Sequence, residues 1–340
     1  MNGLYLERGY INIPAIDRLA GKNDVSFIVI IGGRQGGKTY GVLSLMLKEN
    51  RRFILMRRTQ AEADFIASGT VNPFISLGRT DISAKKDSKY TGKILLGDPA
   101  EDNMIGLTMA LSTVAKIRGF SGADFTDLVF DEFIPERHVV AIKDEGDAFL
   151  NAIVTISGNR ELEGRPPLRV WLLANANDIG NPILSALHLT EKVDTMKLRG
   201  QELSILADRG IMLFLPKSEK LMKARKETAL VRATGRDSAF FDMAFKNEFS
   251  YNDRTGVQPA DLRGYSPVLS VTGRFTINRK RGYYVSAYRR GAALEFAATE
   301  QQALNILRRY PDIRALAISN RLTFESLPVK EDFFSFFNLY

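Results

Sequence analysis

Lys38 and Thr39 close the string Gly32-Gly33-Arg34-Gln35-Gly36-Gly37-Lys38-Thr39, whose residue types and spacing suit the holding of a polyphosphate. Glycines let backbone N–H groups turn inward around a β-phosphate, the lysine neutralises the β and γ oxygens, and the threonine hydroxyl ligates Mg²⁺. An acidic pair, Asp131-Glu132, follows the apolar run Leu128-Val129-Phe130. At a strand end in a β/α chain, the aspartate of such a pair holds Mg²⁺ through water and the glutamate polarises the attacking water. By itself the pair is equally what a surface turn after a core strand looks like. Combined with the glycine-rich string upstream, it points to ATP with Mg²⁺ as ligand and to phosphoanhydride hydrolysis.

Elements must carry these residues to one place, and the periodicity supplies them. Residues 27–31 are Phe, Ile, Val, Ile and Ile, a short strand buried on both faces that runs directly into the glycines. Helix-like apolar spacing over 40–48 puts a positive dipole end beneath the phosphates. Residues 52–58 read as a second strand whose final Arg57 and Arg58 face the ligand crevice, toward DNA or phosphate, or else form a solvated strand end. Helices are expected near 16–21, 61–66 and 148–156, a hairpin or exposed loop at 83–93, and strands near 105–111 and 168–173. The last strand ends in Ala174-Asn175-Ala176-Asn177, where an amide can bond the γ-phosphate or the lytic water. Asn175 is the first choice for that sensor and Asn177 the second, with turn chemistry before Gly180-Asn181-Pro182 as the plainer account. His188 reads as structural.

Composition narrows the function classes. The 340 residues allow two domains, and 45% hydrophobic with 25% charged is ordinary for a globular chain. No apolar run reaches the roughly 18 residues of a membrane span, and the first residues carry no apolar signal segment, so a cytoplasmic protein is expected. Zero cysteines excludes disulfides and thiolate metal sites, and His138 and His188 are too few for a histidine zinc site. A net charge of +8 suits a polyanionic partner without requiring one.

Beyond the sensor strand, 210–215 reads as a strand that can still pair with the same sheet, followed by a basic amphipathic helix over 217–232 and another helix over 238–248. The tail differs. A β-hairpin over 274–288 carries Arg279-Lys280-Arg281 at its tip, 299–310 reads as a helix and 313–319 as a short strand. Between Tyr265 and Arg309 there are eight Lys or Arg against two acids, interleaved with Tyr283, Tyr284 and Tyr288. This suits backbone contact with nucleic acid plus some stacking, or a half-exposed sheet with solubilising arginines.

The set formed by GGRQGGKT, Arg118-Gly119 ahead of LVFDEF, a basic loop with Asn159-Arg160, and LLANANDIGNP resembles phage DNA-packaging ATPases, relatives of terminase large subunits. The chain looks most like the short encapsidation ATPases of small protein-primed podoviruses, most clearly over residues 25–190. That resemblance implies an α/β chain. A RecA-like P-loop ATPase domain of the additional-strand, catalytic-glutamate class fills 1–195, a connector 196–252, and an α+β C-terminal domain resembling a degenerate RNase H-like nuclease 253–340. It implies a homomeric ring, a pentamer, on the capsid portal, acting on double-stranded DNA in the host cytoplasm, with packaging RNA a further partner of that branch. In the family a neighbouring subunit supplies an arginine to the γ-phosphate; Arg160 sits at the matching position, and Arg165 in the same basic loop is the second candidate. Nuclease activity is not expected, because FTINRKRGYYVSAY holds no acid from which to build a two-metal site. Two rivals share the motifs: a P-loop helicase or recombinase, and a nucleotide-regulated adaptor with negligible turnover.

Overall fold

The computed structural model describes residues 3–117, 120, 122–136, 139, 142–176, 180–234, 256–319 and 321–339. Arg118-Gly119, His138, Asn177 and the helix expected over 238–248 lie outside the described residues. The chain divides into two compact units, Met1–Asp178 with Pro182–Leu187 and Thr195–Ser250, and Ile179–Asn181 with His188–Asp194 and Tyr251–Tyr340.

The first unit is built on a nine-stranded sheet. Its elements run α1 (Ile13–Lys22), β1 (Phe27–Ile31), α2 (Lys38–Lys48), β2 (Phe53–Arg57), α3 (Gln60–Ala67), β3 (Ile82–Lys86), β4 (Thr91–Leu96), β5 (Met104–Ala110), β6 (Asp127–Asp131), α4 (Glu145–Ser157) and β7 (Arg169–Ala174). There follow α5 (Pro182–Ala186), α6 (Thr190–Leu198), β8 (Leu203–Leu206), β9 (Ile211–Phe214), α7 (Glu219–Lys226) and α8 (Ala229–Thr234). The strand order is β3-β4-β5-β2-β6-β7-β1-β9-β8, and the six from β5 to β9 are parallel. Antiparallel neighbours close both edges, with β3 and β4 against β5 on one side and β8 against β9 on the other.

Ile28 to Ile31 of β1 are fully buried, as a strand covered on both faces by crossover helices must be. Each such side chain contributes about 1.5–3 kcal/mol by leaving water. The strand anticipated at 210–215 is β9, and it lies directly beside β1. One strand, β7, separates β1 from β6, so the glycine-rich string and the acidic pair leave the same edge of the sheet two strands apart. α1 is longer than expected at its start because Asn12 caps it through Ala15 N at 3.3 Å and Pro14 fits its first turn. The basic helix expected as one piece is two, α7 and α8. Thr228 divides them, its hydroxyl donating to Arg225 O at 2.8 Å, a local bond that competes with the helix ladder.

The second unit holds β10 (Ser266–Val271), β11 (Phe275–Arg279), β12 (Tyr283–Ala287), β13 (Leu294–Phe296), α9 (Glu300–Arg309), α10 (Pro311–Ile318), β14 (Thr323–Phe324) and α11 (Leu327–Phe337). β10, β11 and β12 form an antiparallel meander flanked by parallel β13 and β14. One sheet face, with Phe275, Ile277 and Val285, packs in a core with Ile306, Ile313 and Phe333. The other carries Ser270, Thr276, Asn278 and Ser286, all buried and bonded to one another or to Arg289 O. The strand expected at 313–319 is helix α10, because Pro311 presets a helical φ in its first turn and Asp312 favours the dipole there. The hairpin expected over 274–288 is β11 and β12, with Arg279, Lys280 and Arg281 exposed. Tyr284 is not a stacking platform: it is buried, accepting from Ala260 N at 3.0 Å and donating to Gln258 O at 3.1 Å.

Candidate functional site

β1 ends at Ile31 and hands the chain to Gly32, where an added Cβ would stand 2.6 Å from Pro216 Cγ, so the close approach of the segment after β9 demands glycine. Gln35 and Gly37 take left-handed conformations, with φ of 56° and 85°. Such turns aim successive N–H groups into one concavity, an anion nest. α2 starts at Lys38, so its positive end adds to the same field.

Lys38 is only 8% exposed. Its Nζ donates to Gly32 O at 3.0 Å, Gly33 O at 2.9 Å and Asn175 Oδ1 at 3.1 Å. Burial pushes this ammonium down to about 8; Asp131 and Glu132 pull it back up, while Arg225 and Arg34 push further down. Asn175, the residue after β7, is thereby brought to the lysine. Thr39 Oγ1 donates to Asp131 Oδ1 at 2.9 Å, across from the last residue of β6. Burial raises the Asp131 carboxyl above its ordinary range, with the Arg57 charge as the strongest opposing influence.

Arg57 ends β2, which is hydrogen-bonded to β6. Its guanidinium forks across both acids, Nη1 to Asp131 Oδ2 at 2.8 Å and Nη2 to Glu132 Oε2 at 2.5 Å. Glu132 sits just past β6 with φ of 57°, a conformation that costs a bulky residue about 1 kcal/mol or more and turns its side chain toward Arg57. The strand-end rule thus put Arg57 in the crevice, where its partners among the described residues are the two acids. Arg58 turns away, buried in a two-bond pair with Glu145 at 2.6 and 2.9 Å.

Thr39 Oγ1 and Asp131 Oδ1 are oxygen donors within hydrogen-bond distance of each other, which fits the one or two protein oxygens Mg²⁺ takes alongside water and phosphate. Among the described residues no group of three or more His, Cys, Asp or Glu is placed to hold a metal ion.

Arg160 does not join this site. It is 4% exposed in the turn after α4, and its Nη2 donates to Phe125 O at 2.5 Å and Ala123 O at 3.2 Å. Its Nε is buried without a partner among the described residues. Those carbonyls precede β6 while Asp131 ends it, so about 17 Å of strand, at roughly 3.3 Å per residue, separates Arg160 from its own chain's acidic pair. Arg165, with 39% of its side chain exposed, donates to Ala123 O at 3.1 Å and Glu163 Oε2 at 2.7 Å.

A family model for podovirus DNA encapsidation protein (Gp16) matches residues 15–275. The chain belongs to that family. The match spans every residue of the site just described and reaches the first residue of β11. Among solved structures, the chain is similar to the Phi-28 gp11 DNA packaging motor, at 19% identity and a TM-score of 0.64 over 95% of this chain and 97% of that one. It is also similar to the bacteriophage Phi-29 viral genome packaging motor assembly, at 16% identity and a TM-score of 0.63 over 99% of both chains. These likenesses are of fold. No curated protein matches the chain.

Sequence reasoning passed over the N-terminal segment, yet Ile11 N donates to Gly36 O at 3.2 Å and the Tyr10 ring lies against Gly37. It also gave no role to Glu136, which accepts from the Arg34 guanidinium, or to Arg225, which donates to Arg34 O. Nothing in local spacing announces either contact, since each joins segments about a hundred residues or more apart.

Proposed function

We propose that this protein is an ATP-hydrolysing motor that moves double-stranded viral DNA into a preformed capsid. The observation that carries this reading is the gathering of Lys38, Thr39, Asp131, Glu132 and Asn175 at the carboxyl ends of β1, β6 and β7. The single strand between β1 and β6 supports assignment to the additional-strand, catalytic-glutamate class of RecA-like ATPases.

In this mechanism the backbone from Gly32 to Gly37, with Arg34 and Gln35, cradles the phosphates, and Lys38 leaves the Gly32 and Gly33 carbonyls to neutralise the β and γ oxygens. Thr39 and Asp131 would hold Mg²⁺, which supplies charge neutralisation on the phosphates when bound. Glu132 accepts a proton from the attacking water. While its carboxylate is held by the Arg57 guanidinium it is turned away from the attacking water, so Arg57 restrains turnover until Glu132 is released. Asn175, already bonded to Lys38, loses or gains its partner as the γ-phosphate leaves, and the β7 end reports the change.

A homomeric ring, pentameric on the family resemblance, completes the site with an arginine in trans, and such a group is worth about 10³-fold or more in rate. The loop after α4 is its proposed source. Arg165 reaches a neighbour by giving up bonds to Ala123 O and Glu163, whereas Arg160, the position matched by resemblance, must first leave the buried Phe125 carbonyl as well as the half-buried Ala123 carbonyl. The ring is proposed to work transiently at the portal vertex in the host cytoplasm, with the portal and packaging RNA as partners. No described helix is long and apolar enough to cross a membrane. The second unit is proposed to bind rather than cut, supported by the neutral row Ser270, Thr276, Asn278 and Ser286 on the sheet face a nuclease would furnish with carboxylates.

The test is packaging itself. Purified protein, empty capsids with portals and ATP should render duplex DNA resistant to added nuclease without separating its strands. Strand separation in the absence of capsids would instead identify a helicase, and ATP binding without hydrolysis an adaptor.

A further inference from the structure

Arg225, on α7, is 6% exposed and donates from Nη2 to the carbonyl of Arg34 in the phosphate loop. A trans peptide points its C=O and the following N–H in opposite directions. Holding the Arg34 carbonyl toward α7 therefore turns the Gln35 N–H the other way, and Gln35 is the residue whose left-handed φ of 56° helps form the nest. The Arg34 side chain is meanwhile tied to Glu136, so this one residue is fixed at both its backbone and its guanidinium.

Beside these contacts lies a cavity of about 560 Å³. Gly33 and Gly36 of the loop form one wall; Pro216, Leu221 and Arg225 form another. That volume suits a nucleoside-sized ligand, with Ile11, Pro216, Leu221 and Met222 as apolar surface and the cations of Lys217, Lys223, Arg225 and Lys226 alongside. The Arg225 charge is also felt at Lys38, as is that of Arg34, so three cations converge where a polyphosphate would relieve their repulsion.

We infer that Arg225 is a positioning residue that sets the phosphate loop for nucleotide through the Arg34 carbonyl and draws α7 against the bound nucleoside. This deepens the ATPase reading and rests on it. Closure of α7 then accompanies occupancy, and its relaxation accompanies product release.

The test compares Arg225→Met, which keeps bulk but neither charge nor donors, with Arg225→Lys in the full chain. Arg225→Met should raise the KM for ATP at least tenfold while kcat falls less than threefold, and Arg225→Lys should restore most of the affinity. Hydrogen exchange with a non-hydrolysable ATP analogue should protect residues 32–38 and 219–226 together in the parent protein. In Arg225→Met only 32–38 should stay protected at saturating analogue. Unchanged KM, or undiminished protection of 219–226 in Arg225→Met, overturns the inference. If Arg225→Met does not fold, Arg225→Lys decides alone: a KM raised two- to fivefold with weakened protection of 219–226 supports the role, and parent-like values overturn it. Lys38→Ala separates the two levels of claim. Loss of ATP binding there with an indifferent Arg225→Met leaves the ATPase and removes the positioning role, whereas full ATP binding by Lys38→Ala removes the ATPase reading.

Discussion

Asp131 is a buried carboxylate whose nearest compensating charge, Arg57, also holds Glu132, so one guanidinium bonds both acids. Replacing Arg57 by Met leaves Asp131 with only the Thr39 hydroxyl and the Lys38 charge to offset its burial, and removing one partner of a buried pair costs about 3 kcal/mol. Chemical denaturation should show that loss, and the double variant Arg57→Met/Asp131→Asn should regain a good part of it. A double variant destabilised by the sum of the Arg57→Met and Asp131→Asn losses would mean the pair is not coupled. At this scale the sequence was informative about residue type and poor about partners. Gly32 to Thr39 and Asp131-Glu132 are recognisable from spacing because their chemistry is local. The Arg57 fork is not, because it depends on β2 lying beside β6, which no local pattern encodes. Arg160 shows the same gap: its loop, residues 157–167, reads as polar and solvated, yet its partners are carbonyls 35 and 37 residues upstream.

The elements that present the site are braced at the opposite end of the sheet. Asp17 on α1 accepts from Arg51 Nη2 at 2.6 Å and Arg169 Nη1 at 2.7 Å, while Asp127 at the start of β6 accepts from Trp171 Nε1 at 3.0 Å. Burial pushes Asp17 upward, but the Arg51 and Arg169 bonds outweigh it and hold the carboxyl below its usual value. A depressed folded value stabilises the protein above the unfolded value of about 4, and that contribution fades as pH falls through the folded value. Asp17→Asn should therefore cost about 2–3 kcal/mol at pH 7 and progressively less below pH 4, read from denaturation at each pH. A pH-independent difference would contradict the assignment. Strands β1, β6 and β7 were legible as apolar runs buried on both faces. Edge strand β8 was not, being four residues long, and α10 was mistaken for a strand because its Ile313 and Ile318 ends mask an Ala-rich middle behind Pro311.

For the whole molecule, the proposed ring would have each subunit finish its neighbour's site, and the loop after α4 offers two arginines with different costs. Arg160→Ala should lower thermal stability, because Arg160 ties that loop to the carbonyls before β6. Arg165→Ala should leave stability within about 0.5 kcal/mol, as for most surface changes, and abolish DNA-stimulated turnover. Mixing Arg165→Ala with Glu132→Gln subunits should restore part of that turnover, because an intact arginine then faces an intact glutamate. Absence of rescue, with Arg160→Ala rescued instead, would transfer the role to Arg160. The family and the two-unit organisation of the chain are broad features, and motif order carried the first of them. The proposed trans contact would belong to an assembly, so neither spacing nor the fold of one chain encodes its partner.

The central claim is that one pocket on one sheet splits ATP in the service of moving DNA. Steady-state phosphate release by the parent protein and by Glu132→Gln, each with and without duplex DNA and empty capsids, tests it most directly. The account predicts release that rises with DNA and capsids in the parent and falls at least 10²-fold in Glu132→Gln, with ATP affinity kept within about threefold. Unchanged, DNA-stimulated release by Glu132→Gln would contradict it.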